Sequence, residues 1–274
     1  MLYLAKQATE DIEQLKKNLP HAVLLVGPVG VGLHTIATTI AGKGLSGMIS
    51  PTDIKGEIDN TSSGVIRVTQ IRDLAGHAMS KTRTERVYII DNADQMNHQT
   101  QNAFLKLLEE PVDHVHFILL THHAEKLLPT VRSRVQSLTV SPIEHEQSVS
   151  LLDELKVKDA TVLSQLLFLA DGLPAELTRL VADKAGFKEK AAAVTAARHF
   201  LQGTTLEKLR VISEYSASRP RTLTMLAYAQ RILSHSLRQN PSKELVERSN
   251  VIAEAYDRIA ANGHIKTQLI NLVV

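Results

Sequence analysis

The chain has no cysteine and no tryptophan among its 274 residues. Without thiols it can form no disulfide, no cysteine-ligated zinc site and no thiol nucleophile. Aromatic residues make up only 4% of the sequence, which argues against a surface that grips single strands by base stacking. A large excess of one charge is missing as well. There are 31 Lys and Arg against 29 Asp and Glu, so the broad basic footprint of a nucleic-acid coat is absent. The longest apolar runs, at 22–26 and 117–120, fall far short of the roughly 20 residues a membrane span needs. Glu10, Asp11 and Glu13 stand where a secretory leader would be apolar. The expectation is a cytoplasmic protein with no membrane partner.

What is present suits an ordinary core: 43% hydrophobic and 22% charged residues, in a chain long enough for one large domain or two to three smaller ones. Charge is spread unevenly. Residues 181–274 hold 14 basic and 8 acidic side chains, and the first 180 hold 17 and 21. Solvated helix faces account for this. A mildly basic C-terminal module beside a polyanion is the sharper alternative.

The first half alternates β-type runs with helical patterns. Ala22-Val23-Leu24-Leu25-Val26 is continuously apolar, as in a strand buried on both faces. Further strands are expected at Val65-Ile66-Arg67-Val68, Arg86-Val87-Tyr88-Ile89-Ile90, 115–120 and 136–140, with helices over 35–42, 69–80 and 98–110. Such alternation predicts a parallel sheet covered on both faces, with ligands at the C-terminal strand ends. After Pro142 nearly everything is helical. Short helices are expected over 151–155, 162–170 and 174–183, then longer ones with breaks near Gly203, Arg219-Pro220 and Asn240-Pro241.

Between the first strand and the first helix of this series stands Gly27-Pro28-Val29-Gly30-Val31-Gly32-Leu33-His34-Thr35. That is the context of a phosphate loop, whose backbone N–H groups curl round an anion. A working loop continues with Lys and then Ser or Thr, for phosphate charge and Mg²⁺. Here those positions are Leu33 and His34, and Thr35 comes one residue late. A neutral His34 imidazole fills the place of the hydroxyl. Asp91 ends a strand where an acid would hold Mg²⁺ through water, but Asn92 replaces the Glu that often orients the attacking water. Asp94 is expected to cap the next helix. None of the twelve histidines pair at i,i+4, and His114 and His116, which could share one face of a strand, make only a weak two-ligand site; they read as surface or core residues, with His122 and His123 pointing to different sides. Lys106, Glu109 and Glu110 are expected in caps and ion pairs.

Downstream, Gln101-Asn102-Ala103-Phe104-Leu105-Lys106-Leu107-Leu108-Glu109-Glu110-Pro111 resembles the helix after the second acidic motif of clamp-loader ATPases, a branch of the AAA+ superfamily. The run from Glu125 through Thr130-Val131-Arg132-Ser133-Arg134-Val135-Gln136 is similar to that family's Ser-Arg-Cys segment, with Val135 replacing the cysteine. Thr121 matches its first sensor. Ile66–Arg72 is similar to the stretch before its second helix, and Gly172-Leu173-Pro174-Ala175-Glu176-Leu177 resembles its lid helix.

The resemblance implies an α/β P-loop (AAA+) domain with a five-stranded parallel sheet over 1–141. A small helical lid domain over 142–184 and an all-helical collar over 185–274 follow, the collar assembling a five-subunit ring. The chain departs from the family in a second respect: members usually carry four zinc-binding cysteines in an insert after the phosphate-loop helix, and here residues 43–64 are short and cysteine-free, so no zinc module is expected. The resemblance implies that Arg134, beside Ser133, is an arginine finger offered to a neighbour's ATP. Gly27, Gly30, Gly32, His34, Thr35, Asp91 and Thr121 then form a vestigial nucleotide site that binds ATP or ADP weakly or not at all, with no metal and no required cofactor. The implied partners are gamma/tau-type and delta-type loader subunits, the sliding clamp, and primer-template DNA reached through the assembled ring. The rivals are an ATP-hydrolysing AAA+ motor subunit and a DNA-binding module acting alone.

Overall fold

Five parallel strands form one sheet in the order β2-β3-β4-β1-β5. They are β1 (Ala22–Val26), β2 (Leu45–Ile49), β3 (Arg86–Ile90), β4 (Val115–Thr121) and β5 (Gln136–Thr139). The coordinates are a computed structural model that describes residues 3–4, 6–59, 64–80 and 83–273. The three central strands are apolar at nearly every position because both of their faces are covered. Leu24, Tyr88, Ile90, Phe117 and Leu119 pack on one side with α3 (Val68–Ala78) and α4 (His98–Glu109). Val23, Leu25, Val87, Ile89, Ile118 and Leu120 pack on the other with α1 (Lys6–Lys17) and α2 (Leu33–Ala41). Three of the ten Phe and Tyr residues meet on the first side, where Phe117 lies edge-on to Phe104 at 5.4 Å and stacks on Tyr88 at 6.1 Å.

One expected strand is overturned. Val65 and Ile66 make only isolated bridges, to Thr52 and Met96, and Val68 already begins α3. Ile66 is β-branched and fully buried, which gives the stretch its strand-like look. The second strand is instead Leu45-Ser46-Gly47-Met48-Ile49, a half-exposed sheet edge with a register shift between Leu45 and Gly47. Its mixed composition hides it, since an edge strand needs no continuous apolar run.

The chain divides into two compact units, one ending at Val181 and one starting at Ala182. Besides the sheet, the first holds α5 (Pro129–Arg132), α6 (His145–Glu154), α7 (Ala160–Ala170) and nearly all of α8 (Pro174–Ala182). The expected lid segment is thus three helices of this unit. The second unit contains α9 (Lys184–Gln202), α10 (Thr205–Tyr215), α11 (Arg219–Gln239), α12 (Lys243–Ala260) and α13 (Ile265–Ile270). Helices α9, α10 and α12 start on side-chain caps: Asp183 accepts from the Gly186 N–H, Thr204 and Glu207 form a capping box, and Ser242 accepts from the Leu245 N–H. Phe200, Ile212, Met225, Leu226 and Ile259 fill its core. Pro220 sits in the first turn of α11, where a missing N–H is tolerated. Among the described residues no helix is long and apolar enough to cross a membrane.

Candidate functional site

Because β3, β4 and β1 are neighbours, the residues that follow them meet at the C-terminal end of the central strands. There the glycine loop turns into α2 through Gly30 and Gly32, with φ of 90° and 98°, a left-handed backbone that favours glycine. A cavity of about 570 Å³ opens above it. Of the expected site residues, Gly30, Gly32, His34, Thr35 and Asp91 line this cavity.

Gly27 and Thr121 do not line it. Gly27 lies beneath, so tightly packed that a Cβ there would be 2.7 Å from the Val140 carbonyl and 3.2 Å from Leu33 Cδ2. Leu33 itself is only 4% exposed and belongs to the core of α1 and α2. Thr121 is buried; its hydroxyl donates to Asp94 Oδ1 at 2.8 Å and accepts from the His123 N–H at 3.0 Å. Asp94 is therefore not a helix cap. Asn97 caps α4, accepting from the Thr100 N–H, because it stands at the N-terminal boundary while Asp94 sits in a 3-10 turn earlier in the chain.

The cavity also gathers residues that sequence reasoning missed, among them Asp94, His122, His123, Lys126 and Ala175. Both adjacent histidines reach it, contrary to the expectation that they point to different sides. The chain leaves the strand at Thr121, so the strict alternation of a strand no longer separates them. His122 Nδ1 donates to the Gly27 carbonyl at 2.6 Å, tying the start of the glycine loop to the end of β4. Lys126 Nζ is 3.8 Å from Asp94 Oδ2. Burial pushes the Asp91 carboxyl above the usual carboxylate range, and Asp94 adds to this; His34, the Asn92 N–H and His122 pull the other way. Among the described residues no cluster of His, Asp or Glu has the geometry to hold a metal ion. His114 and His116 each take one oxygen of Glu85, at 3.0 and 2.7 Å.

The glycine loop holds α8 directly. The Gly30 carbonyl accepts from the backbone N–H of Ala175 at 3.0 Å and of Glu176 at 3.1 Å. These are first-turn amides, which have no partner inside their own helix. The approach is close: a Cβ on residue 30 would lie 2.8 Å from Glu176 Cβ. Glu176 in turn grips Arg179 through two bonds of 2.8 and 2.7 Å.

Arg134 and Ser133 lie apart from the cavity lining, just past α5. Pro129 starts that short helix, and buried Leu127 and Val131 anchor it. The buried Gln101 side chain on α4 braces the approach. Its amide donates to the Met96 and Lys126 carbonyls at 3.0 and 3.2 Å, and its oxygen accepts from the Leu128 N–H at 2.7 Å. The Arg134 guanidinium donates to the Thr130 carbonyl at 3.1 Å and pairs with Glu109 at 2.9 Å.

Comparison with known proteins points in one direction. The family model described as "DNA polymerase III, delta subunit" matches residues 5–144. The chain is 30% identical over 181 residues to DNA polymerase III subunit delta' of Pseudomonas aeruginosa, covering 58% of this chain and 55% of that protein. It is 35% identical over 157 residues to DNA polymerase III subunit gamma of Buchnera aphidicola, covering 50% and 43%. The matches thus span about half the length of these relatives. A solved DNA polymerase III gamma subunit-related protein of Thermotoga maritima superposes with a TM-score of 0.56 at 18% identity, over 96% of this chain and 97% of the other, and so shares its fold.

Two outcomes follow from the geometry. Gly30→Ala puts a side chain into a left-handed backbone and against Glu176, at a cost of about 1–3 kcal/mol. It is expected to lower the urea midpoint and to speed hydrogen exchange at the Ala175 and Glu176 amides; unchanged exchange there would mean the loop does not hold α8. Asp91 prefers its proton in the folded chain, so its contribution to stability falls as pH rises from the ordinary Asp range toward its raised value. Asp91→Asn is therefore expected to stabilise the chain at pH 7 and flatten its stability profile in acid. Destabilisation at pH 7 by that variant would show that burial is not the dominant influence.

Proposed function

The chain belongs to the DNA polymerase III delta-subunit family, and on that premise we propose that it is a non-catalytic, delta-prime-like clamp-loader subunit. In this reading it is a stator: it donates Arg134 to a neighbouring subunit's ATP and helps load the sliding clamp onto primed DNA during replication. The observation that carries the proposal is the placement of Arg134. It is partly exposed at the end of a braced segment, away from the chain's own glycine loop. A guanidinium is always charged and forks onto phosphate oxygens, so an arginine in that position suits a phosphate held by another subunit. An arginine given in trans is worth about 10³–10⁵ in hydrolysis rate.

The chain's own cavity supports the non-catalytic half of the reading. Leu33 turns the position of the phosphate-binding lysine into core packing, and His34 offers no hydroxyl for Mg²⁺. Asn92 lacks the carboxylate that orients water. The backbone cradle persists, but its charge terms are missing, and catalysis by electrostatics has little left to act through. The site is a degenerate phosphate loop that binds ATP or ADP weakly or not at all and needs no zinc or other cofactor. The partners are gamma/tau-type and delta-type subunits, the clamp, and primer-template DNA contacted in the ring mostly at phosphates.

The test is reconstitution with the sister loader subunits and measurement of clamp- and DNA-stimulated ATPase. Activity is expected to require this chain and to fall by at least two orders of magnitude at the dependent site with Arg134→Ala, while the complex still assembles. A silent Arg134→Ala would reduce the chain to a scaffold. In calorimetry the isolated chain is expected to show no micromolar binding of Mg-ATP; tight binding would favour the motor-subunit reading instead.

A further inference from the structure

In the free chain both terminal nitrogens of the Arg134 guanidinium already face acceptors. Nη1 lies 3.1 Å from the Thr130 carbonyl and 3.4 Å from Ser133 Oγ. Nη2 lies 2.9 Å from Glu109 Oε1. Arginine binds phosphate strongly by presenting two N–H groups side by side, so the Glu109 carboxylate occupies part of the fork that a phosphate would use.

Helix stability does not explain why a carboxylate stands there. Glu109 is the last residue of α4, at the negative end of the helix dipole, where an acidic side chain is disfavoured. Lys106 in the same turn and Arg134, which pairs with Glu109 directly, offset this. The same helix carries Gln101, which braces the segment leading to Arg134, so α4 fixes both the approach and the resting contact of the arginine. The pair is open to solvent, with side-chain exposures of 38% for Arg134 and 49% for Glu109. Exposed pairs of this kind are weak and readily exchanged.

We infer that Glu109 is a positioning residue that holds Arg134 while the chain is free and yields it when a neighbour's nucleotide phosphate competes. The inference rests on the arginine-donating function proposed above and deepens it. Glu109 acts as a competitor for the guanidinium: it lowers the apparent affinity of the composite site for ATP and leaves the rate at saturation unchanged.

The experiment compares wild type, Glu109→Gln and Arg134→Ala in the reconstituted loader, titrating ATP at saturating clamp and primed DNA. Glu109→Gln keeps the side chain's size and removes its charge at an exposed position. It is expected to lower KM for ATP about two- to fivefold, the range set by an exposed ion pair, with kcat unchanged. An unchanged or raised KM, or a fall in kcat, overturns the holding role. In the free chain, side-chain NMR is expected to show slowed rotation of the Arg134 guanidinium in wild type and faster rotation in Glu109→Gln; equal rotation also overturns it. Arg134→Ala separates the two levels. If it is silent, the arginine-donating function fails and this inference fails with it. If it abolishes activity while Glu109→Gln changes nothing, the holding role alone fails.

Discussion

The parallel pairing of β1 with β4 is the constraint on which everything near the cavity depends. It sets Val26 opposite Thr121 and so brings the glycine loop beside the end of β4. The Gly27 N–H reaches the Thr121 carbonyl, and His122 closes the contact by donating to the Gly27 carbonyl. On the other flank β4 pairs with β3, which brings up Asp91 and Asp94. A parallel register survives only if both faces of these strands are buried, and the two cores on either side meet that need. The chemistry of these strand ends is thus a by-product of packing several residues below them.

Two buried or backbone polar contacts then carry that order outward. The Gly30 carbonyl takes two amides of α8, so the helix that follows Gly172 is tied to the loop by the backbone itself. The Gln101 amide ties α4 to the chain between β4 and α5 through two bonds, to Lys126 and Leu128, and holds Met96 before α4 with a third. Buried amides are costly to leave unpaired, which makes such three-way contacts unforgiving and the geometry around them narrow. Arg134 is exposed, yet its backbone rests on a short helix whose entry Gln101 fixes. A side chain can be free at its tip and still start from a defined place.

Much of this was legible in the sequence, for physical reasons. Strands buried on both faces announce themselves by continuous apolar runs, and β1, β3 and β4 do so. The edge strand β2 does not, because Ser46 is exposed and Gly47 brings no side chain to the core, and Val65-Ile66 imitated it with a fully buried isoleucine. The glycine loop was readable because its function needs local spacing. His122, Lys126 and Asp94 were not, since each joins the cavity only through tertiary placement. Thr121 stands at the strand end as read, one step behind the cavity wall, with its buried hydroxyl donating to Asp94, which lines that wall. The pairing of Glu109 with Arg134 joins two elements that no local pattern connects.

The buried leucine at the head of α2 has a mechanical consequence. Leu33 lies among Ile36, Ile40 and Leu25 and is almost wholly hidden. Truncating a leucine in such a place costs on the order of 2–5 kcal/mol, a large share of what holds an ordinary domain folded. A lysine there would set its ammonium against apolar neighbours unless its stem carried it into the cavity that Leu33 also borders. The first side chain of α2 thus works as a peg that fastens the turn above it to the core below.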